Sequence, residues 1–136
     1  MGVRMISKYV GKQTVKSVHE PSNCEITTTA PVDIGGTGLF FSPTDLLACS
    51  LGCCMLTTMS NVAKSMGLDF KGSLVEVEKH MQENPRKVEK ISVSFVLSSN
   101  YTNEQRKALE EAAYTAPVTL TLKGNIKIDF SFLYND

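Results

Sequence analysis

Apolar and polar positions along this chain change period several times, and each change marks an element. Arg4 to Val10 alternates weakly, with Met5, Ser7 and Tyr9 against Ile6, Lys8 and Val10. Gln13 to His19 and Cys24 to Ala30 follow as strand-like runs, the last rich in β-branched threonines. The turns Gly11-Lys12 and Pro21-Ser22-Asn23 separate them, so the three are predicted to form an antiparallel meander. Pro31 to Phe41 is read as a glycine-containing loop, with Leu39, Phe40 and Phe41 stapling it to the next helix or lining a pocket. Ser42 to Gly67 is predicted as one long helix, about 36 Å from end to end. Ser42 fits the N-cap, Pro43 the first helical position and Asp45 the capping-box acid. Gly67 fits the left-handed residue that ends a helix, and Lys64 lies in the last turn.

The period then returns to two. Phe70 to Met81 reads as a strand, strictly alternating from Leu74, and Asn84-Pro85-Arg86 turns it into Val88 to Leu97. Ile91, Val93 and Phe95 share one face, and the other face is polar, which makes His80 solvent-facing and without a catalytic role. Thr102 caps an amphipathic helix to Ala113 with Leu109, Ala112 and Ala113 inward. Pro117 interrupts it, Val118 to Leu122 is a short helix or turn, and Ile126 to Leu133 is the closing strand. The order β-β-β-α-β-β-α-(α)-β describes an α+β fold, and 136 residues suit a single domain, 1–136.

Composition narrows the function. Lys plus Arg and Asp plus Glu number 14 each, so no basic field invites nucleic acid or an anionic membrane. The long helix has no charge from Leu46 to Ala63, the minimum length of a membrane span. Yet Ser50, Gly52, Thr57, Thr58, Ser60 and Asn61 dilute it and no aromatic belt flanks it, so burial inside the protein or a dimer is the expectation. The N-terminal MGVRMISKYVGKQ lacks the apolar run of a signal peptide, which argues for the cytoplasm and reduced thiols. The glycine loop ends in neither a P-loop nor a dinucleotide fingerprint, so no nucleotide cofactor is expected.

Three of the four cysteines, Cys49, Cys53 and Cys54, lie on the long helix. Their spacing is no zinc knuckle, and His19 and His80 are distant in sequence, so no metal is expected. A thiol reacts as thiolate, and the middle of a helix gives little help from its dipole. Spacing alone therefore favours cysteines that pack. Cys24 is likewise expected to be a small packed side chain on its strand.

SPTDLLACSLGCCM changes that balance. It resembles the signature of the osmotically inducible protein C and organic hydroperoxide resistance (OsmC/Ohr) family. GGTGLFFSPTDLL is similar to the family's approach loop, VEVEKHMQENPRKVEKISVSFVL to its central hairpin, and APVTLTLKGNIKID to its C-terminal motif. The resemblance implies an intertwined homodimer with the long helices buried at its centre. It implies reduction of organic hydroperoxides by a peroxidatic cysteine, which the Ser-Pro register puts at Cys54. A second cysteine and an external dithiol, often protein-bound dihydrolipoamide, complete the family's cycle. Three positions depart from the pattern. Ala116 stands where the second cysteine is usual, and Thr44 replaces the acid after Pro43, although Asp45 remains. The arginine near the thiolate has no match, Lys12 or Gln13 standing nearest. Cys54, Asp45 and Lys12 are thus the candidate catalytic residues. Two expectations follow from Ala116: a peroxidase resolved by an external thiol, or a non-catalytic relative binding a small hydrophobic or thiol ligand at the dimer interface. In the register of Cys54, Cys49 and Cys53 are expected to be packing residues.

Overall fold

A computed structural model describes residues 2–135. Its elements follow the predicted order: β1 (Met5–Gly11), β2 (Thr14–His19), β3 (Cys24–Thr29), α1 (Pro43–Ser65), β4 (Leu74–Gln82), β5 (Lys87–Leu97), α2 (Asn103–Tyr114), α3 (Pro117–Leu122) and β6 (Lys127–Tyr134). A 3-10 turn at Val32–Ile34 interrupts the glycine loop. The chain forms two compact units, the first ending at Leu46 and the second beginning at Leu47. Each contains one three-stranded sheet, so the α+β class holds.

In the first unit β1, β2 and β3 make the expected antiparallel meander, with Val15 of β2 opposite Tyr9 and Thr28. The β1–β2 turn is tight because Gly11, Lys12 and Gln13 all take positive φ, at 96°, 54° and 55°. Such turns match the right-handed twist of the strands they join. Gln13 fastens the turn to its surroundings. Its N–H donates to the Tyr9 hydroxyl at 3.2 Å, and its carbonyl accepts the Ala30 N–H at 3.1 Å. The glycine loop packs as closely: a Cβ on Gly36 would sit 1.5 Å from the Ala30 carbonyl oxygen, so only glycine fits. Successive residues of a strand face opposite sides of its sheet. Met5 and Tyr9 on one side, and Ile6 and Val10 on the other, are all exposed. This sheet leaves apolar side chains open on both faces.

The second unit is built on β5. Val88, Ile91, Val93, Phe95 and Leu97 of that strand are buried, together with Leu109, Ala112 and Ala113 of α2. The three α2 residues are those the amphipathic pattern selects, and Thr102 and Gln105 close a reciprocal capping box at its start. β4 pairs with β5 antiparallel and β6 pairs with it in parallel, which makes three strands of the expected hairpin. A parallel partner needs a long crossover, and α2 and α3 supply it. Phe95 stacks on Phe132 at 4.9 Å, and Tyr114 meets Phe130 edge-on at 4.7 Å. β4 begins at Leu74 rather than Phe70, because Phe70 to Ser73 is a turn with Gly72 at φ 90°. His80 follows exposed Glu76 and Glu78 on one face of β4 and is itself partly exposed, with Nε2 3.2 Å from a Glu78 carboxylate oxygen.

The buried stripe of α1 is Ala48, Leu51, Gly52, Met55, Met59 and Ala63, which recurs at one helical turn and faces the core. A Cβ on Gly52 would come within 2.8 Å of Val77 Cγ1 and 3.1 Å of Val75 Cγ1. At Gly52 α1 therefore approaches β4 too closely for a side chain. The opposite stripe, with Cys53, Thr57 and Asn61, is exposed, so one flank of the uncharged helix is covered within the chain. Among the described residues α1 is the one helix long and apolar enough to cross a membrane, with a mean hydropathy of 1.5. Its buried stripe instead belongs to the core of the second unit. The helix ends as predicted: Gly67 has φ 70°, the Leu68 N–H reaches the Ala63 carbonyl at 2.9 Å, and the Gly67 N–H reaches that of Lys64 at 3.1 Å. These paired bonds satisfy carbonyls that the helix end would leave open.

Candidate thiol site on the long helix

The register of α1 is set at its first turn. Ser42 is buried, and its hydroxyl accepts the Asp45 N–H at 3.0 Å. The Asp45 carboxylate accepts the Ser42 N–H at 2.9 Å in return. The two bonds satisfy donors that would otherwise be orphaned at the helix start. Asp45 is thus tied to the cap, a structural duty beside the catalytic one expected of it. Leu39, Phe40 and Phe41 keep exposed side chains and line, with Asp45, an open cavity of about 340 Å³. Lys12 is exposed in the β1–β2 turn of the first unit, where its carbonyl accepts the Thr14 hydroxyl at 3.1 Å.

Cys54 is half-buried and packs against the core of the second unit. Its carbonyl accepts the Thr58 hydroxyl at 2.8 Å, and the Cys53 carbonyl accepts that of Thr57 at 2.8 Å. The threonines that dilute the helix thus satisfy themselves one turn back, and no charge is needed to solvate them. Ala116 is fully buried at the N-cap of α3, where its carbonyl accepts the Leu120 N–H at 3.0 Å. A methyl group fills that position without an unmet polar atom.

Two of the other cysteines, Cys53 and Cys24, differ from expectation. Cys53 is exposed, so it does not pack, and its Sγ lies 3.8 Å from that of half-buried Cys49. Burial raises the Cys49 pKa above the ordinary thiol range, and the hydrogen bond and charge interaction with Cys53 raise it further. The spacing of one helical turn was legible in the sequence, but it did not reveal which flank of the helix the pair occupies. Cys24 also is exposed rather than packed, because it opens β3 beside the Ser22-Asn23 turn. All four cysteines are free thiols.

A family model described as OsmC-like protein matches residues 36–131, which include the end of the approach loop, Cys54 and Ala116. The chain belongs to the OsmC-like family. Lys12 lies outside the matched residues. Among solved structures, a putative osmotic stress induced and detoxification response protein from Psychrobacter arcticus is 34% identical, with a TM-score of 0.91 and 97% of each chain covered. An organic hydroperoxide resistance protein OsmC from Legionella pneumophila is 17% identical, with a TM-score of 0.76 over 96% of each chain. The organic hydroperoxide resistance protein OhrB of Bacillus subtilis is 16% identical, with a TM-score of 0.70 over 97% of this chain and 98% of that one. These last two show the fold that the OsmC-like chain shares with them. No curated protein matches the sequence.

Proposed function

We propose that this OsmC-like protein reduces organic hydroperoxides with Cys54 as the attacking thiolate. The observation that supports the reading is the Ser42–Asp45 cap of α1, from which the OsmC/Ohr resemblance counts to Cys54, a half-buried thiol. The Cys54 thiolate attacks the distal peroxide oxygen. The O–O bond breaks, Cys54 becomes a sulfenic acid, and the alkoxide leaves as the alcohol after taking a proton. With Ala116 in place of a second cysteine, an external thiol attacks the sulfenic sulfur and releases water. A second thiol then breaks the mixed disulfide and restores Cys54. A dithiol such as a protein-bound dihydrolipoamide performs both steps, and no other cofactor is required. Asp45 and Lys12 are proposed as the further catalytic residues.

The proposed assembly is a homodimer. The apolar side chains open on both faces of the first sheet support it, because such a sheet needs a partner surface. The proposed location is the cytoplasm, where thiol reductants are abundant. The test is consumption of cumene hydroperoxide with dithiothreitol or a lipoylated protein as reductant. Wild type is expected to turn over and Cys54→Ser is not; equal slow consumption by both would refute the reading. The buried methyl of Ala116 favours one second reading, a non-catalytic relative that binds a small hydrophobic or thiol ligand. A ligand that co-purifies, together with a Cys54 inert to thiol reagents, would support that instead.

A further inference from the structure

We infer that the charged face of the first sheet docks on an anionic lipid bilayer, through Lys8 and Lys16 with Ile6 and Val10 beside them. The balanced net charge of the chain hides an uneven distribution. Residues 1–19 hold four of the 14 basic side chains and none of the 14 acidic ones, so the rest of the chain is net acidic. Arg4 precedes β1, Lys8 lies on it, Lys12 stands in the turn and Lys16 lies on β2. Arg4 is engaged, with Nε 3.9 Å from a Glu20 carboxylate oxygen. Among the described residues no ion pair joins Lys8, Lys12 or Lys16. The register sets Lys8 directly opposite Lys16. Like charges placed so destabilise a sheet, and an anion laid across them removes that cost.

The two faces of the sheet differ in charge. Alternation and register put Met5, Tyr9, Val15, Ile26 and Thr28 on one face, which holds no Lys, Arg, Asp or Glu. The other face carries Lys8 and Lys16, with Ile6 and Val10 on either side of Lys8 along β1. Its one acid, Glu25, lies on β3, opposite Val18 and at the far edge from β1. Burying a charge costs far more than burying an apolar side chain. A protein partner, the second subunit of the proposed homodimer included, therefore takes the uncharged face. The charged face stays open, with Lys8 and Lys16 exposed, Ile6 52% exposed and Val10 47%. Nucleic acid would use its lysines alone, since the Tyr9 ring, on which a base could stack, is on the opposite face. A bilayer uses both kinds of side chain. Lipid phosphates meet the ammonium groups, lysine stems lie along apolar surface, and the aliphatic side chains enter the interface. Each lysine near an anionic leaflet adds about fivefold in affinity.

The full chain, in the assembly it forms, would be sedimented with vesicles of phosphatidylglycerol and phosphatidylcholine in equal parts, and with phosphatidylcholine alone. Binding to the first and not to the second is expected, weakened by added salt. Lys8→Gln combined with Lys16→Gln should weaken it roughly 25-fold. Ile6→Ser combined with Val10→Ser should also weaken it, with its salt dependence kept. Lys71→Gln combined with Lys123→Gln, in the second unit, should bind as wild type does. Circular dichroism and gel filtration should show every variant folded and in the wild-type assembly. Failure of the wild type to bind anionic vesicles, or undiminished binding by the Lys8 and Lys16 variant, would overturn the inference. A changed assembly in that variant would overturn it too, by placing the charged face inside the subunit interface. Vesicle binding that ignores Ile6 and Val10, with equal binding to a single-stranded oligonucleotide, would make the face a general polyanion surface instead. No readout uses peroxide turnover, so the docking and the peroxidase reading fail separately.

Discussion

Gly52→Ala tests how α1 is seated on its sheet. The added methyl would begin 2.8 Å from Val77 Cγ1 and 3.1 Å from Val75 Cγ1, whereas carbon atoms rest at about 3.5–4.0 Å. Valine is stiff at χ1 and cannot swing its methyls aside cheaply. The helix must therefore lift or the strand must shift by several tenths of an ångström. Overpacking of this kind costs about 1–3 kcal/mol. Alanine also gains about 1 kcal/mol over glycine inside a helix, so the two effects oppose each other. The collision wins, with a net loss of up to about 2 kcal/mol. For a chain of this size that lowers the melting temperature by up to roughly 8 °C. The assay is thermal unfolding followed by circular dichroism, repeated in a Val77→Ala background. There the nearest contact is gone, and Gly52→Ala should cost nothing or stabilise. A melting temperature unchanged or raised by Gly52→Ala in the wild-type background would refute the close approach of α1 to β4.

Ser42→Ala should cost about 1 kcal/mol of stability in chemical unfolding, since it removes the hydroxyl that accepts the Asp45 N–H. Ala116→Cys should yield a disulfide with Cys54 after mild oxidation, seen as a loss of two hydrogens and of two thiols; an unchanged thiol count would place the two positions apart. Burial, and then the bond and charge of Glu110, raise the Tyr134 pKa above the ordinary phenol value. In the unfolded chain this phenol ionises near about pH 10, so above that pH the folded state holds more protons and stability falls as pH rises. Tyr134→Phe should flatten that alkaline loss, measured as melting temperature between about pH 9 and 11.

Local chemistry was the legible part of this fold. Both ends of α1 were written in Ser42, Asp45 and Gly67, because caps act through neighbours in sequence. The inward face of α2 was equally plain, since Leu109, Ala112 and Ala113 follow the helical period. What remained hidden depends on partners distant in the chain. The parallel pairing of β6 with β5 joins Ile128 to Ile91, and no local pattern states it. Gly52 looked like dilution of an apolar helix until Val75 and Val77 were seen against it. The exposure of Cys53 and Cys24 was hidden for the same reason: sequence gives a residue's spacing, while the packed neighbours decide which face is covered. In the candidate site, the motif singled out Cys54 and Ala116, and the structure added that the first is half-buried and the second fully buried.

The most direct measurement is the place of oxidation itself. The protein would be mixed with one equivalent of cumene hydroperoxide in the presence of dimedone, which traps sulfenic acid, and its peptides sequenced by mass spectrometry. The account predicts a single dimedone adduct on Cys54, resolved from Cys53 by the fragment ions between them. An adduct on Cys49 or Cys53 in place of Cys54, or no adduct while peroxide is consumed, would contradict it.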